Sequence, residues 1–140
     1  MGLNNSSPWT AGGTIRPSRF IKADSSAPKT ALEADANERI IGVSQLGTRD
    51  APGTNGAGTD AASSGEEFQA FGLGDVCLIE LGGTVTASAQ VKSDAEGCAV
   101  AAATTGTTLQ WVGGVALQGG VAGEKVLIQI MSYPYYPALA

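Results

Sequence analysis

The chain has 140 residues, a formal net charge of −5 and a sequence pI near 4.5, with only 15% charged residues. This length fits one modest domain, and the acidic balance with no basic stripe argues against direct nucleic-acid binding. No apolar run approaches the ~20 residues that cross a membrane, and the N-terminus has neither the basic start nor the apolar core of a signal peptide.

The first segment, Met1 to Ser18, is rich in Asn, Ser, Gly and Thr and shows no periodicity. We expect an extended N-terminal arm here. Trp9 lies in polar surroundings, which suggests that another surface covers it. Pro8, Trp9 and Ile15 are therefore predicted to contact a partner protein or another subunit.

The segment from Arg19 to Gln45 reads as three short strands. "RFIKAD" alternates imperfectly, "KTALEADANERI" lacks a sustained helical apolar face, and "RIIGVSQ" carries Gly42 as a bulge or close backbone approach. We add Phe20 to the predicted contact residues. The stretch 46–67 that follows is Gly, Ala, Ser, Thr and Asp with little to bury, and we expect either a mobile surface loop or a functional one.

The segment from Phe68 to Met131 carries the clearest strand signals. "DVCLIEL" suits a strand buried on both faces, "LGGTVTA" a Val/Thr strand, and "QVKSDAEGCAVAAA" a hairpin whose turn uses Gly97. "TLQWVGGVALQ" and "GVAGEKVLIQIM" complete the set. Together these predict an all-β domain over residues 19–131, a small barrel or a sandwich.

The tail, residues 132–140, contains all three tyrosines, Tyr133, Tyr135 and Tyr136. Its two prolines predict an extended segment that joins a sheet poorly. The tyrosines either lie at an interface or fold back over the barrel end, and we include them among the predicted contacts.

Composition leaves little room for catalysis. Histidine is absent, no Gly-x-Ser-x-Gly elbow or phosphate-binding glycine loop occurs, and two cysteines cannot alone make a structural zinc site. We expect no enzyme activity, no cofactor and no metal. Cys77 and Cys98 are read as buried thiols, with a disulfide left open.

Gly42-Val43 is matched near the other end of the chain by Gly114-Val115. The two pairs either occupy equivalent places in two halves of one barrel or coincide by chance in a chain rich in Gly, Ala and Val. Glycine at such places lets a sheet bend or another backbone approach.

The order of these motifs resembles the capsid cement, or head decoration, proteins of tailed bacteriophages. The resemblance is carried by "RFIKAD", "ANERIIGVSQLGTRD", "GDVCLIELGGTV", "VKSDAEGCAVAA" and "TLQWVGGVALQGGVAGEKVLIQI". It implies a homotrimer on the outer surface of the virion head, assembled in the host bacterial cytoplasm, that binds and stabilises the major capsid protein lattice. The predicted contact residues would then face the capsid or a neighbouring subunit. From the residues alone, the alternative is a carbohydrate-binding or adhesive β module of a fibre or surface structure.

Overall fold

The computed structural model describes residues 6–47, 60–106 and 108–137, and these residues form β-strands with no α-helix. The strands in chain order are β1 Ser6–Ala11, β2 Phe20–Ala23, β3 Thr30–Glu33, β4 Gly42–Ser44, β5 Glu67–Phe71, β6 Val76–Glu80, β7 Gln90–Ser93, β8 Ala99–Ala101, β9 Gln110–Ala116 and β10 Lys125–Tyr135. The predicted all-β class is confirmed. Over the same ranges there is no helix of the length and apolarity that crossing a membrane requires.

Strands β1–β5 close into a five-stranded barrel, here called the first barrel, in the order β1-β3-β2-β4-β5. β1 closes it by pairing in parallel with β3 and antiparallel with β5. Along β5 the side chains alternate between buried and exposed, as a half-buried strand requires. The inward side chains form an apolar core of Ala11, Ile15, Ile21, Ala31, Ala61, Ala62, Phe68 and Ala70.

Strands β6–β10 form a second five-stranded sheet, here called the second sheet, in the order β6-β10-β9-β7-β8. β10 is its longest strand, and its register on β9 shifts between Ile130 and Tyr133 at a β-bulge. Its outermost strands approach each other only at an isolated parallel bridge between Leu81 and Ala99. The second sheet is therefore an incompletely closed counterpart of the first barrel.

The strand registers show that the two sheets repeat one motif. Gly42 faces Ile21 across β2 and β4, and Gly114 faces Val91 across β7 and β9. The two Gly-Val pairs thus occupy equivalent places. They lie in two successive five-stranded sheets, and not in two halves of one barrel.

The same steric restriction requires glycine at both equivalent positions. A Cβ on Gly42 would meet the carbonyl oxygen of Phe71, and a Cβ on Gly114 would lie 2.6 Å from the carbonyl oxygen of Gln129. Phe71 and Gln129 are themselves equivalent, because they face Val43 and Val115 respectively. The close approach of the last strand of each sheet therefore requires glycine twice.

The repeat extends beyond the glycines. Residues 12–14 and 82–84 both read Gly-Gly-Thr, and each run leads to a serine in the left-handed region, Ser18 with φ 56° and Ser88 with φ 73°. Non-glycine residues seldom adopt this conformation. Two serines at matching places with matching strain identify the same local structure in both sheets.

The two sheets differ in how their first and third strands meet, β1 with β3 in the first barrel and β6 with β8 in the second sheet. In the first barrel these strands are joined where the Thr10 amide donates to the Lys29 carbonyl at 3.0 Å. In the second sheet the equivalent amide, that of Glu80, donates instead to Ser18 of the first barrel at 3.0 Å. The Phe20 amide completes the insertion by donating to the Gly97 carbonyl at 2.8 Å. A segment of the first barrel thus fills the gap in the second sheet.

Side chains reinforce this insertion. The Phe20 ring is fully buried, and it belongs to the apolar core of the second sheet although β2 belongs to the first barrel. Arg19, which is 8% exposed, pairs with Glu80 at 2.9 Å and donates to the Glu96 carbonyl. The buried aromatic ring and the charge-assisted ion pair hold the two sheets together at this junction.

Several sequence-based boundaries differ from the structure. Within the expected arm of residues 1–18, Ser6–Ala11 form β1 of the first barrel, because their backbone pairs with β3 and β5 despite Pro8. The expected tail of residues 132–140 contributes to β10 as far as Tyr135. Most of the predicted loop, residues 48–59, lies outside the described residues, as do residues 1–5 and 138–140.

Two strand predictions also need correction. β6 was expected to be buried on both faces, but Val76 is 51% exposed while Cys77 and Ile79 are buried, so only one face is covered. "LGGTVTA" forms no strand; Val85 makes only an isolated bridge to Gly120. The hairpin over "QVKSDAEGCAVAAA" is confirmed as β7 and β8, with Gly97 at φ 79° in its turn.

Candidate attachment surface

Pro8 and Trp9 are adjacent residues of β1 in the first barrel. Pro8 is exposed, and Trp9 is half-buried against the core of that barrel. The Lys29 ammonium sits 4.3 Å from the centroid of the Trp9 ring, a cation–π contact that covers part of its outer face. The polar surroundings of Trp9 in the sequence are thus explained partly by contacts within the chain.

Ile15 and Phe20 are fully buried, Ile15 in the core of the first barrel and Phe20 in that of the second sheet. A partner approaching the folded chain would find no accessible surface on either side chain. Both side chains therefore pack within the chain, and neither is proposed as a contact residue.

The three tyrosines divide between packing and exposure. The Tyr133 hydroxyl accepts a 2.6 Å hydrogen bond from the Gln90 side chain, and Tyr133 and Tyr135 pair with Val112 and Gln110 along β9. Both are half-buried residues of β10, and Tyr133 also contacts β7 through Gln90. Tyr136 is 42% exposed and remains available to a partner.

Most cationic side chains near the junction of the two sheets are paired internally. Arg16 holds Glu33 at 2.9 Å, and this hydrogen bond raises the pKa of Arg16. Lys22 contacts Glu38 at 2.7 Å, and that bond likewise raises the pKa of Lys22. Because these charges are neutralised within the chain, they add little to any field that a partner would sense.

Part of the outward side of the second sheet is apolar, although the exposed Gln129 lies within it. Leu78 faces Leu127 across β6 and β10, and the Leu117 amide donates to the Leu127 carbonyl on the other side of β10. Val76 and Val115 both face Gln129 in the neighbouring row. We call the set Val76, Leu78, Val115, Leu117 and Leu127 the apolar face. Val76 and Leu117 are 51% and 47% exposed, so the apolar face is partly open to solvent.

Sequence reasoning missed the apolar face because it took "DVCLIEL" as buried on both sides. The signal that could have found it is the comparison of the two repeats. Where the second sheet has Leu117 and Leu127, the first barrel has Gln45 and Gln69, which hydrogen-bond to each other. An apolar residue that replaces an exposed polar one at a repeated position points to a surface with a different task.

Chemically reactive groups are few on the described surface. Cys77 and Cys98 are free and buried, and burial raises their pKa to about 12 and about 11. Thiols in this state are poor nucleophiles at neutral pH. Within residues 6–47, 60–106 and 108–137 no group of His, Cys, Asp and Glu is placed to hold a metal ion.

An open cleft of about 270 Å³ lies beside the β7–β8 hairpin. Polar side chains dominate its lining, which comprises Asn37, Lys92, Ala103, Thr105, Gly106, Thr108 and Gln110. The Gln110 amide is already satisfied, because it exchanges two hydrogen bonds with the backbone of Ala103. The cleft is shallow and polar, and it offers no aromatic platform among these lining residues.

Comparison with known proteins places the fold. No family model matches the sequence, and no curated protein matches it. Among solved structures, the crystal structure of the head fiber gp8.5 N base of bacteriophage phi29 superposes with a TM-score of 0.63. The chain shares the fold of that base.

The similarity covers 90% of this chain and 92% of the phage base, so both sheets take part in it. Sequence identity over the match is 16%, at which the likeness shows the fold alone.

Proposed function

We propose that this chain is a structural protein of a phage head, and that it decorates the outer capsid surface and stabilises the major capsid protein lattice. The observation that carries the proposal is the fold shared with a phage head fibre base along nearly the whole chain. The motif order that resembles capsid cement proteins supports the same role from the sequence.

The proposed mode of action is binding without catalysis. The cationic groups at the junction are committed to internal ion pairs, and the thiols are buried and protonated. A homotrimer, as the resemblance implies, would touch several capsid subunits at once. Each contact can then be weak, because linked sites gain avidity through their effective concentration.

The contact surface proposed for the capsid includes Pro8, Trp9 and Tyr136. All three keep accessible area in the folded chain, and aromatic side chains with one polar end are typical of protein interfaces.

Co-sedimentation with purified heads, followed by electron microscopy, tests the proposal. The full chain should sediment with heads of the phage that encodes it, and averaged images should show added density outside the shell. Tyr136→Ala should weaken binding at least threefold without changing the melting temperature. Tyr133→Phe, which removes only an internal hydrogen bond, is the matched control and should bind as the parent does. Heads that leave the protein in the supernatant would overturn the proposal.

A second candidate is the base of a head fibre, which the likeness to the phi29 head fiber N base favours. Such a base also binds the head, but it carries a projecting shaft. Images of complete virions distinguish the two: a decoration protein leaves a low knob, whereas a fibre base continues into extended density. A carbohydrate-binding module is a weaker candidate, since the polar cleft beside Lys92 has no aromatic lining residue; a glycan array tests it.

A further inference from the structure

The outer edge of β6 carries backbone groups without a partner among the described residues. The Leu81 amide donates to the carbonyl of Glu124, next to β10, while the Glu80 amide points the opposite way, to Ser18. Because amides alternate in direction along a strand, those of Val76 and Leu78 also point away from β10. No strand in the described ranges pairs with them on that side. Among the described residues, β6 is therefore an open edge from Val76 to Leu78.

The first barrel protects the equivalent edge and the second sheet does not. Pro8 faces Gln69 on β5 as Leu78 faces Leu127 on β10, so Pro8 and Leu78 hold the same place. Proline has no amide hydrogen and blunts an edge against further pairing. Leu78 offers a free donor where its counterpart has none, which leaves this edge open to another strand.

The same edge already accepts added backbone within the chain. Next to Leu78, Glu80 receives the inserted segment through its bond to Ser18. A strand added at Val76 and Leu78 would continue that pairing along β6. The apolar face lies directly beside the edge, and none of its residues carries a charge.

We propose that two copies of the chain pair antiparallel through β6, with Val76 of one copy opposite Leu78 of the other. In this register each open amide meets an open carbonyl, and the bond from Glu80 to Ser18 is undisturbed. Cys77 faces its own counterpart at a non-hydrogen-bonded position, with its side chain kept in the core.

A second copy is the occupant that the edge fits, because the unpaired segment is complementary to itself about a two-fold axis. The chain carries a net charge of −5, so two copies repel least where few charges lie; Val76 and Leu78 are uncharged, and the nearby Glu80 is paired with Arg19. Pairing also joins the two apolar faces into one surface. The contact is two-fold, so alongside a trimer it would link neighbouring trimers, and it does not depend on the proposed function.

Sedimentation of the full chain over a range of concentrations, combined with amide hydrogen exchange, tests the pairing. Leu78→Pro places in β6 the residue that blocks the equivalent edge of β1. It removes the Leu78 amide hydrogen, which makes no hydrogen bond among the described residues. It should weaken self-association at least tenfold while the melting temperature stays near that of the parent. Leu78→Val keeps the amide and is the matched control, which should associate like the parent.

Val76→Lys is a second variant that places a charge on the same edge and leaves the backbone unchanged. It should also weaken association at least tenfold. In the parent, exchange at the Val76 and Leu78 amides should slow as concentration rises. Exchange at these amides that is independent of concentration, or a Leu78→Pro protein that associates like Leu78→Val, would overturn the proposal.

Discussion

The packing of Phe20 on Gly113 can be tested by a double-mutant cycle. A Cβ added at Gly113 would lie 2.7 Å from both Cε1 and Cζ of the Phe20 ring, closer than packed carbons come. Gly113→Ala alone should therefore destabilise the protein by about 1–3 kcal/mol, the usual cost of overpacking. Phe20→Ala alone should cost about 3–5 kcal/mol, because the ring is fully buried.

Combining the two substitutions should reverse the sign of the second. With the ring removed, the new methyl group enters the space that it left, and Ile40 at 3.3 Å needs only a small shift. Gly113→Ala should then be neutral, or stabilising by up to about 1 kcal/mol, since alanine loses less backbone entropy than glycine. The cycle should give a coupling free energy of about 1–3 kcal/mol or somewhat more.

Guanidinium unfolding of the four proteins, followed by tryptophan fluorescence and far-ultraviolet circular dichroism, measures this coupling. Gly13→Ala is the matched control, because its Cβ would meet only Leu32 at an ordinary 3.7 Å. Its effect should be the same in both backgrounds. A cost for Gly113→Ala that is unchanged by Phe20→Ala would show that the ring does not pack there, and the insertion of the first barrel into the second sheet would be refuted.

Two further predictions follow from the cores. Gly42→Ala should destabilise by about 1–3 kcal/mol or more, because its Cβ meets the Phe71 carbonyl, whereas Gly47→Ala, with open space around it, should be neutral in the same unfolding assay. Burial raises the pKa of Cys77 to about 12 and that of Cys98 to about 11, against an ordinary 9. Because the thiols of the unfolded chain ionise first, the stability that these two buried thiols contribute should be complete below pH 9. It should be lost as the pH rises towards 11–12. Unfolding free energies between pH 8 and 12 measure this, and Cys77→Ala should flatten the decline; an unchanged decline would contradict the assignment to Cys77.

The strands of the second sheet were predictable because local signals agree there. "QVKSDAEGCAVAAA" has its turn glycine between two strand-forming runs, and it forms β7 and β8 as expected. β1 was missed because its pairing is entirely long-range: Pro8 and the flanking serines give no local strand signal, and only β3 and β5 hold the segment in place.

The site residues were harder to predict, because burial depends on which sheet a side chain meets. Phe20 follows a charged residue and resembles a surface aromatic in the sequence. It is buried because its segment fills the gap between the outermost strands of the second sheet. Sequence reasoning recognised the repeat in Gly42-Val43 and Gly114-Val115 but not in the two Gly-Gly-Thr runs. The connection between β4 and β5 is much longer than that between β9 and β10, so equivalent residues are not evenly spaced.

The inserted segment from Ser18 to Phe20 also orders the events of synthesis. Because a chain leaves the ribosome from its N-terminus, β1 to β5 can close before β6 exists. Strands β6 to β10 can then assemble on the segment from Ser18 to Phe20, which is already in place. Until they bind this segment, the gap in the second sheet stays unfilled. The first barrel closes through its own strands, whereas the edge of the second sheet is completed by a segment that was synthesised before it.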